Sequence, residues 1–157
     1  MIWSGAEVSK FVEVKDRKQI QPNGVDLTVD EIYAFRGIGL LSEDKTLPLY
    51  EKLEPNEEGF FVLEPGAYLV RYSEVVKIPS NAIGLVFPRS SLQRMGATIH
   101  TSVWDSGYEG RGIGLLVVFN PKGIKIRRGA RICQIIYLEA RASGKYSGGY
   151  QFEGINE

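Results

Sequence analysis

The chain has 157 residues, and its 19 basic and 19 acidic side chains cancel at neutral pH. This length suits one domain with a sizeable core. The balanced charge excludes a broad electrostatic field that would recruit nucleic acid or an anionic membrane, so any anion site must be local. One histidine and one cysteine also exclude a zinc tetrad and the zinc site of a metal-dependent nucleotide deaminase.

The sequence has few features that indicate a cellular compartment. Cys133 is the single cysteine, so no intrachain disulfide can form. The N-terminus lacks the basic, apolar and small-residue succession of a secretion signal, and no apolar run approaches membrane-spanning length. We therefore expect a cytoplasmic protein.

The first third of the chain gives three structural signals. Ser4 and Glu7 form a capping-box pattern, which predicts at least one helical turn from about Ala6. Val25–Val29 alternates as a half-buried strand should. Arg36–Asn56 carries charged patches and two prolines, which indicate irregular surface or short edge strands.

The rest of the chain is rich in short β segments separated by turn residues. Regularly spaced short strands are typical of an all-β barrel or sandwich. The predicted strands are Phe60–Leu63, Tyr68–Tyr72, Val75–Ile78, Ile83–Phe87, Ile113–Phe119, Ile124–Arg128 and Arg131–Glu139.

A short helix is predicted over Ser90–Gly96, which has no β-branched residue. Arg89 precedes it, and Ser90 and Ser91 stand at its N-terminus. A guanidinium beside two hydroxyls and free backbone N–H groups suits a phosphate. Each residue also has an ordinary interpretation, because arginine is common on surfaces and serine caps helices.

A second polar stretch, Trp104–Gly110, places a carboxylate and an aromatic ring in one turn. Asp105 suits water activation, and Tyr108 beside it suits a flat ligand. The alternatives are a plain turn aspartate and a hairpin packing residue. His100 has no nearby nucleophile or second metal ligand, so a structural role is favoured for it.

The stretch 87–112 resembles the deoxyuridine triphosphatase (dUTPase) and dCTP deaminase superfamily, and it is closest to archaeal-type dUTPases. The resemblance continues at Gln21–Leu27, at Gly129–Ile135 and in the glycine-rich tail Gly144–Gln151. It implies an all-β, dUTPase-like distorted β-barrel (β-clip) with one or two short helices over residues 1–142. It also implies a flexible C-terminal lid over residues 143–157.

The same resemblance implies roles for individual residues. Asp105 would bind the deoxyribose 3′-hydroxyl and activate water, and Tyr108 would stack on the sugar. Uracil would be read in the hairpin around Trp104 and Gly112. The triphosphate would be held by Arg89, Ser90, Ser91, Gln134, Lys145, Gly148 and Gly149.

Cofactor and assembly also follow from the resemblance. It implies Mg²⁺ on the triphosphate, with Asp26 acting indirectly through the metal's water shell. It further implies a homotrimer whose sites lie at subunit interfaces, a nucleotide as the ligand, and no nucleic-acid or membrane partner.

The choice of reaction depends on one strand. Non-zinc dCTP deaminases need a glutamate in the strand after the Asp-x-Gly-aromatic turn, and Ile113–Phe119 contains no carboxylate. Glu109 lies in the turn itself. We therefore predict a hydrolase, a dUTP diphosphatase that releases dUMP and pyrophosphate by water attack on the α-phosphorus.

Two alternatives stay open. One is a dCTP deaminase or a bifunctional deaminase and dUTPase, with its glutamate supplied from elsewhere. The other is a non-catalytic nucleotide-binding relative. The stretch from Asp105 to Asn120 is two residues longer than the family's usual spacing. The tail has Lys145, Tyr146 and Tyr150 instead of the arginine and phenylalanine that dUTPase lids carry.

Overall fold

A computed structural model describes all 157 residues, which form mainly β-structure. The helices are α1 (Gly5–Val8), a 3₁₀ helix (Arg17–Gln19) and α2 (Ser90–Arg94). The first seven strands are β1 (Ile20–Gln21), β2 (Gly24–Phe35), β3 (Leu40–Leu41), β4 (Lys45–Thr46), β5 (Tyr50–Lys52), β6 (Phe60–Leu63) and β7 (Gly66–Tyr72). The other seven are β8 (Val76–Lys77), β9 (Ala82–Pro88), β10 (Ala97–His100), β11 (Glu109–Gly110), β12 (Ile113–Val118), β13 (Ile124–Arg127) and β14 (Arg131–Glu139).

The main sheet curls into a barrel. Its strands run in the order β10-β12-β7-β2-β14-β9, every pair is antiparallel, and β1 and β5 also pair with β2. The chain just after β10 then returns to β9, where Gly84 and Trp104 exchange backbone hydrogen bonds of 2.9 and 3.0 Å. This contact joins the two ends of the sheet, and the expected β-barrel is confirmed.

The strands contribute their side chains to one hydrophobic core, and β12 and β2 do so with different burial patterns. In β12 every second side chain is buried, as expected when one face of a strand is packed and the other is not. Val25–Val29 of β2, expected to be half-buried, is instead buried throughout. Its odd-numbered residues lie in the core, and the Asp26 and Thr28 side chains on its other face are covered by contacts with Gln21 and Glu74. Leu27, Ile32 and Leu116 belong to a single cluster of 27 buried residues.

Most predicted elements are confirmed, including the capping box of α1. The Ser4 hydroxyl accepts a hydrogen bond from Glu7 N, and the Glu7 carboxylate accepts one from Ser4 N at 2.8 Å. Region 36–56 forms the short strands β3, β4 and β5, as expected. Strand β10 was not predicted, and it ends at an exposed His100. None of the helices is long and apolar enough to cross a membrane.

Candidate active site

A cluster of polar residues lies where three neighbouring strands, β2, β14 and β9, meet. Asp26 on β2 is directly opposite Gln134 on β14, and Gln134 is opposite Phe87 on β9. Opposed residues of an antiparallel pair project from the same face, so Asp26 and Gln134 share a face. Arg89 follows the end of β9, which brings it to the same edge.

Asp26 is buried and binds two guanidinium groups. Its Oδ2 lies 3.1 Å from Arg89 Nε and 3.2 Å from Arg131 Nη1, and it accepts a 3.2 Å hydrogen bond from Gln21 Nε2. Burial raises the pKa of Asp26 above its ordinary value, and the charges of Arg89 and Arg131 oppose this shift. We call these four residues the guanidinium cluster.

The cluster presents a cation that a ligand can reach. The Nε contact with Asp26 fixes the plane of the Arg89 guanidinium, because that group is rigid and planar. Arg89 Nη1 also donates to Arg131 O at 3.3 Å. The Arg89 side chain nevertheless stays 32% exposed, so an anion can approach it.

Helix α2 begins immediately beside the cluster. Arg89 occupies the N-cap position with extended backbone angles, and no side chain caps the helix. Ser90 and Ser91 are therefore not capping residues, although they form its first turn as predicted. Both are exposed, so their hydroxyls lie next to Arg89 and are open to a ligand.

A second group of residues forms an aromatic cavity of about 200 Å³. Trp104 lies edge-on to Tyr108 with ring centroids 5.3 Å apart, and Tyr108 lies edge-on to Tyr146 at 5.6 Å. Such a cavity accommodates a flat ring. We call it the aromatic pocket, and it is lined by Ser102, Trp104, Tyr108, Gly112, Ile113, Tyr146, Tyr150 and Glu153.

Gly112 is required by the shape of this pocket. A Cβ atom on Gly112 would lie 2.5 Å from Cη2 of Trp104, inside the ring's van der Waals surface. A side chain at this position would therefore displace Trp104 from the pocket wall. The predicted grouping of Trp104, Tyr108 and Gly112 in one hairpin agrees with this arrangement.

Asp105 lies in a tight turn beside the aromatic pocket. Tyr108 N donates to Asp105 O at 3.1 Å, and Gly107 between them has φ +86°, which glycine adopts without strain. The buried Ser106 hydroxyl donates to Ala82 O at 2.6 Å and anchors the turn to β9. Asp105 itself is exposed and faces a neighbouring cavity of about 460 Å³, which Tyr146 also lines.

The C-terminal tail, residues 143–157, lies against the hairpin of the same chain. Tyr108 donates its hydroxyl to Glu153 Oε1 at 2.7 Å, and Arg111 N donates to Glu153 O at 2.8 Å. Burial raises the pKa of Glu153, and the hydrogen bond from Tyr108 opposes that shift. Tyr108 itself has a pKa well above its usual value, mainly because of burial.

Within one chain the aromatic pocket and the guanidinium cluster are far apart. Ser106 is fixed to Ala82 at the start of β9, whereas Arg89 follows Pro88 at the other end. Seven residues of strand at about 3.3 Å each separate Asp105 from Arg89 by roughly 20 Å. This is much longer than the spacing of neighbouring phosphates.

The predicted lid residues lie on the side of Asp105. Lys145 and Asp105 line the same cavity. Gly148 lies against the Tyr146 ring, and a Cβ added to Gly149 would meet open space. One chain therefore does not bring Lys145, Gly148 or Gly149 to Arg89.

A model of the dCTP deaminase-like family matches residues 4–140. The chain belongs to this family. It is 43% identical, over 160 residues, to a probable deoxyuridine 5'-triphosphate nucleotidohydrolase of Aeropyrum pernix, covering 99% of this chain and 100% of that protein. It is 42% identical over 153 residues to a deoxyuridine 5'-triphosphate nucleotidohydrolase of Methanocaldococcus jannaschii, covering 94% and 97%.

Solved structures show the family's fold. The chain superposes on the 2'-deoxycytidine 5'-triphosphate deaminase of Agrobacterium tumefaciens with a TM-score of 0.66 and 21% identity, over 87% of this chain and 47% of that one. A dUTPase of Staphylococcus bacteriophage 80alpha gives a TM-score of 0.51 and 14% identity, over 95% of both chains. At these identities the likeness establishes the shared fold.

In this member of the dCTP deaminase-like family, strand β12 contributes no acid to the aromatic pocket. The strand contains only apolar residues and glycine, and Ile113 is its residue in the pocket wall. Glu109 belongs to β11 instead, where its carboxylate lies 3.0 Å from Lys77 Nζ of β8. Glu109 is thus occupied by an ion pair beside the site.

The side chains present do not fit a directly bound Mg²⁺. No three Asp, Glu, His or Cys side chains converge as metal ligands. Asp26, predicted to act only through the metal's water shell, already lies between two guanidinium groups, and a cation bound directly to its carboxylate would be repelled by both.

Several contacts of the site were not predicted from the sequence. Arg131 lies within the motif Gly129–Ile135, but only strand pairing places it beside Asp26. Gln21 lies in the upstream motif and also reaches Asp26. Glu153 stands in the tail without any motif, and no sequence signal indicated its contact with Tyr108.

Proposed function

We propose that the chain hydrolyses dUTP to dUMP and pyrophosphate. The observation that carries this proposal is the position of Asp105, which is exposed in a fixed turn between two residues of the aromatic pocket. The names of its relatives at over 40% identity support the substrate. The apolar β12 supports hydrolysis over deamination, because replacing the amine of cytosine requires a proton shuttle. The one carboxylate in the pocket wall, Glu153, comes from the tail and is already bonded to the Tyr108 hydroxyl.

In the proposed reaction Asp105 orients a water molecule and accepts its proton. The water oxygen forms a bond to the α-phosphorus, and the bond from that phosphorus to the bridging oxygen of the β-phosphate breaks. Pyrophosphate leaves with the bonding electrons. Asp105 also binds the 3′-hydroxyl of the deoxyribose. Tyr108 packs against the sugar, and uracil binds in the hairpin around Trp104 and Gly112.

The triphosphate is assigned to the edge formed by the guanidinium cluster and α2. The residues proposed to hold it are Arg89, Ser90, Ser91 and Gln134, with Lys145, Gly148 and Gly149 added from a tail that acts as a lid. Arg89 suits this role because its guanidinium makes two-pronged contacts with phosphate oxygens.

The site is proposed to form between chains of a homotrimer. The support is the separation of roughly 20 Å between Asp105 and Arg89 within one chain, estimated from strand geometry. Copies that juxtapose the aromatic pocket of one chain with the guanidinium cluster of the next would complete the site. A cytoplasmic location is also proposed, as expected for a chain whose single cysteine forms no disulfide.

Mg²⁺ is proposed as a cofactor that arrives bound to the triphosphate. When bound, it would neutralise charge on the phosphate oxygens. Asp26 would contact such an ion only through its water shell. The side chains of this chain supply the orientation of the water and the grip on the phosphates.

Hydrolysis in ¹⁸O-labelled water tests the position of attack. If Asp105 delivers water to the α-phosphorus, the label appears in dUMP and the pyrophosphate stays unlabelled. Label in pyrophosphate would place the attack at the β-phosphorus and contradict the proposed geometry. Ammonia release from dCTP would support the deaminase alternative, and binding without turnover would support a non-catalytic relative.

Replacing Tyr108 with alanine is expected to weaken discrimination against ribonucleotides. Tyr108 is buried in the pocket wall, so its removal opens space for a 2′-hydroxyl. A hydrophobic wall rejects one added hydroxyl by about a hundredfold, so the ratio of dUTP to UTP turnover should fall by up to that factor. Turnover of dUTP, UTP and dCTP by both proteins is the measurement. An unchanged dUTP-to-UTP ratio with faster dCTP turnover would mean that Tyr108 faces the base.

Truncation after Ala142 is expected to spare the barrel and to abolish most turnover. The tail lies outside the strands of the barrel, yet it supplies Tyr146, Tyr150 and Glu153 to the wall of the aromatic pocket. Removing it exposes the pocket to water, and lids of this kind exclude water from the reaction. Circular dichroism and dUTP turnover are the measurements. Full activity of the truncated chain would contradict the lid assignment.

A further inference from the structure

A fully buried carboxylate lies behind the guanidinium cluster. Glu74, in the loop between β7 and β8, is 0% exposed. No cation contacts it, and its oxygens instead accept hydrogen bonds from Thr28 N (3.0 Å), Thr28 Oγ1 (2.6 Å) and Gln19 Nε2 (2.8 Å). A buried carboxylate is costly unless its oxygens are bonded, and here every donor is neutral. A core that needed only volume would be filled by an apolar side chain.

The Thr28 contact coincides with a break in the pairing of β2 and β14. Gln134 and Cys133 pair in regular register with Asp26 and Leu27, but Thr28 then pairs with Arg131, so Ile132 is the extra residue of a β-bulge. The backbone groups of Thr28 face the β7 side of β2: its N–H donates to Glu74, and its carbonyl accepts a hydrogen bond from Ser73 N at 3.0 Å. From the edge of β2 opposite β14, Glu74 thus holds the residue that pairs with Arg131 at the bulge.

The bulge determines where Arg131 points. Side chains alternate along a regular strand, so Arg131 and Gln134 would project from opposite faces. Asp26 shares a face with Gln134, and yet Arg131 Nη1 reaches Asp26 Oδ2 at 3.2 Å. Bulges redirect side chains in this way, so the extra residue in β14 turns Arg131 to the face of Asp26, the edge proposed for the triphosphate.

Gln19 forms a second link from Glu74 to the same guanidinium. Its Nε2 donates to Glu74 and to Asp26 O, both at 2.8 Å, and its Oε1 accepts Lys15 N (2.7 Å) and Asp16 N (2.9 Å). All four hydrogen-bonding positions of the amide are used. The segment held in this way presents Lys18 O, which accepts a 2.6 Å hydrogen bond from Arg131 Nη1.

We propose that Glu74 is a positioning residue for the triphosphate edge of the site. Through Thr28 and Gln19 it holds Arg131 against Asp26, and Asp26 in turn orients Arg89. The inference rests on the proposed function only for the identity of the ligand as the triphosphate of dUTP. Because Glu74 bonds Thr28 and Gln19 and makes no hydrogen bond to the Asp105 turn, its loss should weaken phosphate binding and leave the chemical step nearly intact.

The test substitutes Glu74→Gln, which keeps the shape but turns one acceptor oxygen into a donor facing other donors. Losing one such buried contact should raise the KM for dUTP and the Kd for inorganic tripolyphosphate about tenfold. The kcat should change by less than about twofold if only binding is affected. Calorimetry with tripolyphosphate measures the affinity without any turnover.

A cycle with Arg131→Ala separates positioning from general destabilisation. If Glu74 acts through Arg131, Glu74→Gln has no further effect on KM or on tripolyphosphate affinity in that background. The matched control is Tyr137→Phe, further along β14. It removes a partly buried hydrogen bond of 2.7 Å from the Tyr137 hydroxyl to Lys77 O of β8 and should change neither value. The proposal would be overturned if Glu74→Gln changed KM and tripolyphosphate affinity equally in the wild-type and Arg131→Ala chains, or in neither of them.

Thr28 provides the test if Glu74→Gln does not fold. Thr28→Val removes the hydroxyl donor and should raise the KM for dUTP. Thr28→Ser keeps the hydroxyl, so its KM should stay at the wild-type value. A raised KM in Thr28→Ser as well would count against the proposal. If the wild-type chain bound tripolyphosphate but did not hydrolyse dUTP, only the proposed function would be refuted. The role of Glu74 would still be tested, because the cycle can be measured by tripolyphosphate affinity alone. Wild-type chain that does not bind tripolyphosphate would refute both.

Discussion

Asp105→Asn should reduce dUTP hydrolysis by about 10²- to 10⁴-fold, the usual loss when a general base is removed. An amide has the size of a carboxylate, but it cannot accept the proton of the attacking water. Asp105 is exposed and lies in a turn whose geometry depends on backbone contacts and on Ser106. The free energy of unfolding and the affinity for dUTP should therefore change little.

Steady-state turnover, calorimetric dUTP binding and thermal unfolding of the Asn variant measure these expectations. Asp44→Asn, an exposed carboxylate between β3 and β4, is a matched control that should behave as the parent protein. Parental turnover by the Asp105 variant would mean that another group activates the water.

Arg89→Lys should lower kcat/KM for dUTP by about ten- to a hundredfold, although it conserves the charge. Lysine is a point charge that cannot bind two phosphate oxygens in one plane. It also lacks the Nε–H that lies 3.1 Å from Asp26, so the buried carboxylate would depend more on Arg131. A substitution at one position thus disturbs both the ligand contact and its support.

Kinetics and tripolyphosphate binding of the Lys variant provide the measurement. Arg36→Lys is the matched control, because Arg36 is an exposed arginine that follows the far end of β2 and pairs through its Nε with Glu51, away from the cluster. Unchanged kcat/KM in Arg89→Lys would return Arg89 to the class of ordinary surface arginines.

The two positions together also test whether chains share a site. Asp105→Asn and Arg89→Ala chains, unfolded and refolded as a mixture, should recover part of the activity. In mixed assemblies some sites would combine an intact aspartate from one chain with an intact arginine from another. A site contained within one chain would give no recovery.

Local patterns were sufficient to predict most of the fold. The capping box at Ser4, the alternation of Val25–Val29 and the turn chemistry around Asp105 depend on neighbours in sequence, and the structure has each element where it was expected. Strand β10 was missed because Ala97–His100 is short and begins only two residues after the end of α2. Its assignment depends on pairing with β12, which no local pattern specifies.

The site was less predictable, because its contacts join strands distant in sequence. The motif containing Arg131 was recognised, but its ion pair with Asp26 depends on a one-residue bulge that composition does not encode. Likewise the sequence around Glu74 is that of an ordinary loop, and the burial of this glutamate behind β2 depends on the tertiary fold. The docking of Glu153 on Tyr108 depends on the path of a tail that has no regular periodicity.

One measurement tests the central assignment most directly: pyrophosphate and ammonia release by the purified chain with Mg²⁺ and, separately, dUTP, dCTP, dTTP and UTP. The aromatic pocket, Asp105 and an apolar β12 together predict pyrophosphate and dUMP from dUTP, much slower reaction of the other nucleotides, and no ammonia from dCTP. Ammonia from dCTP, or the absence of pyrophosphate from dUTP, would contradict the assignment of this chain as a dUTP diphosphatase.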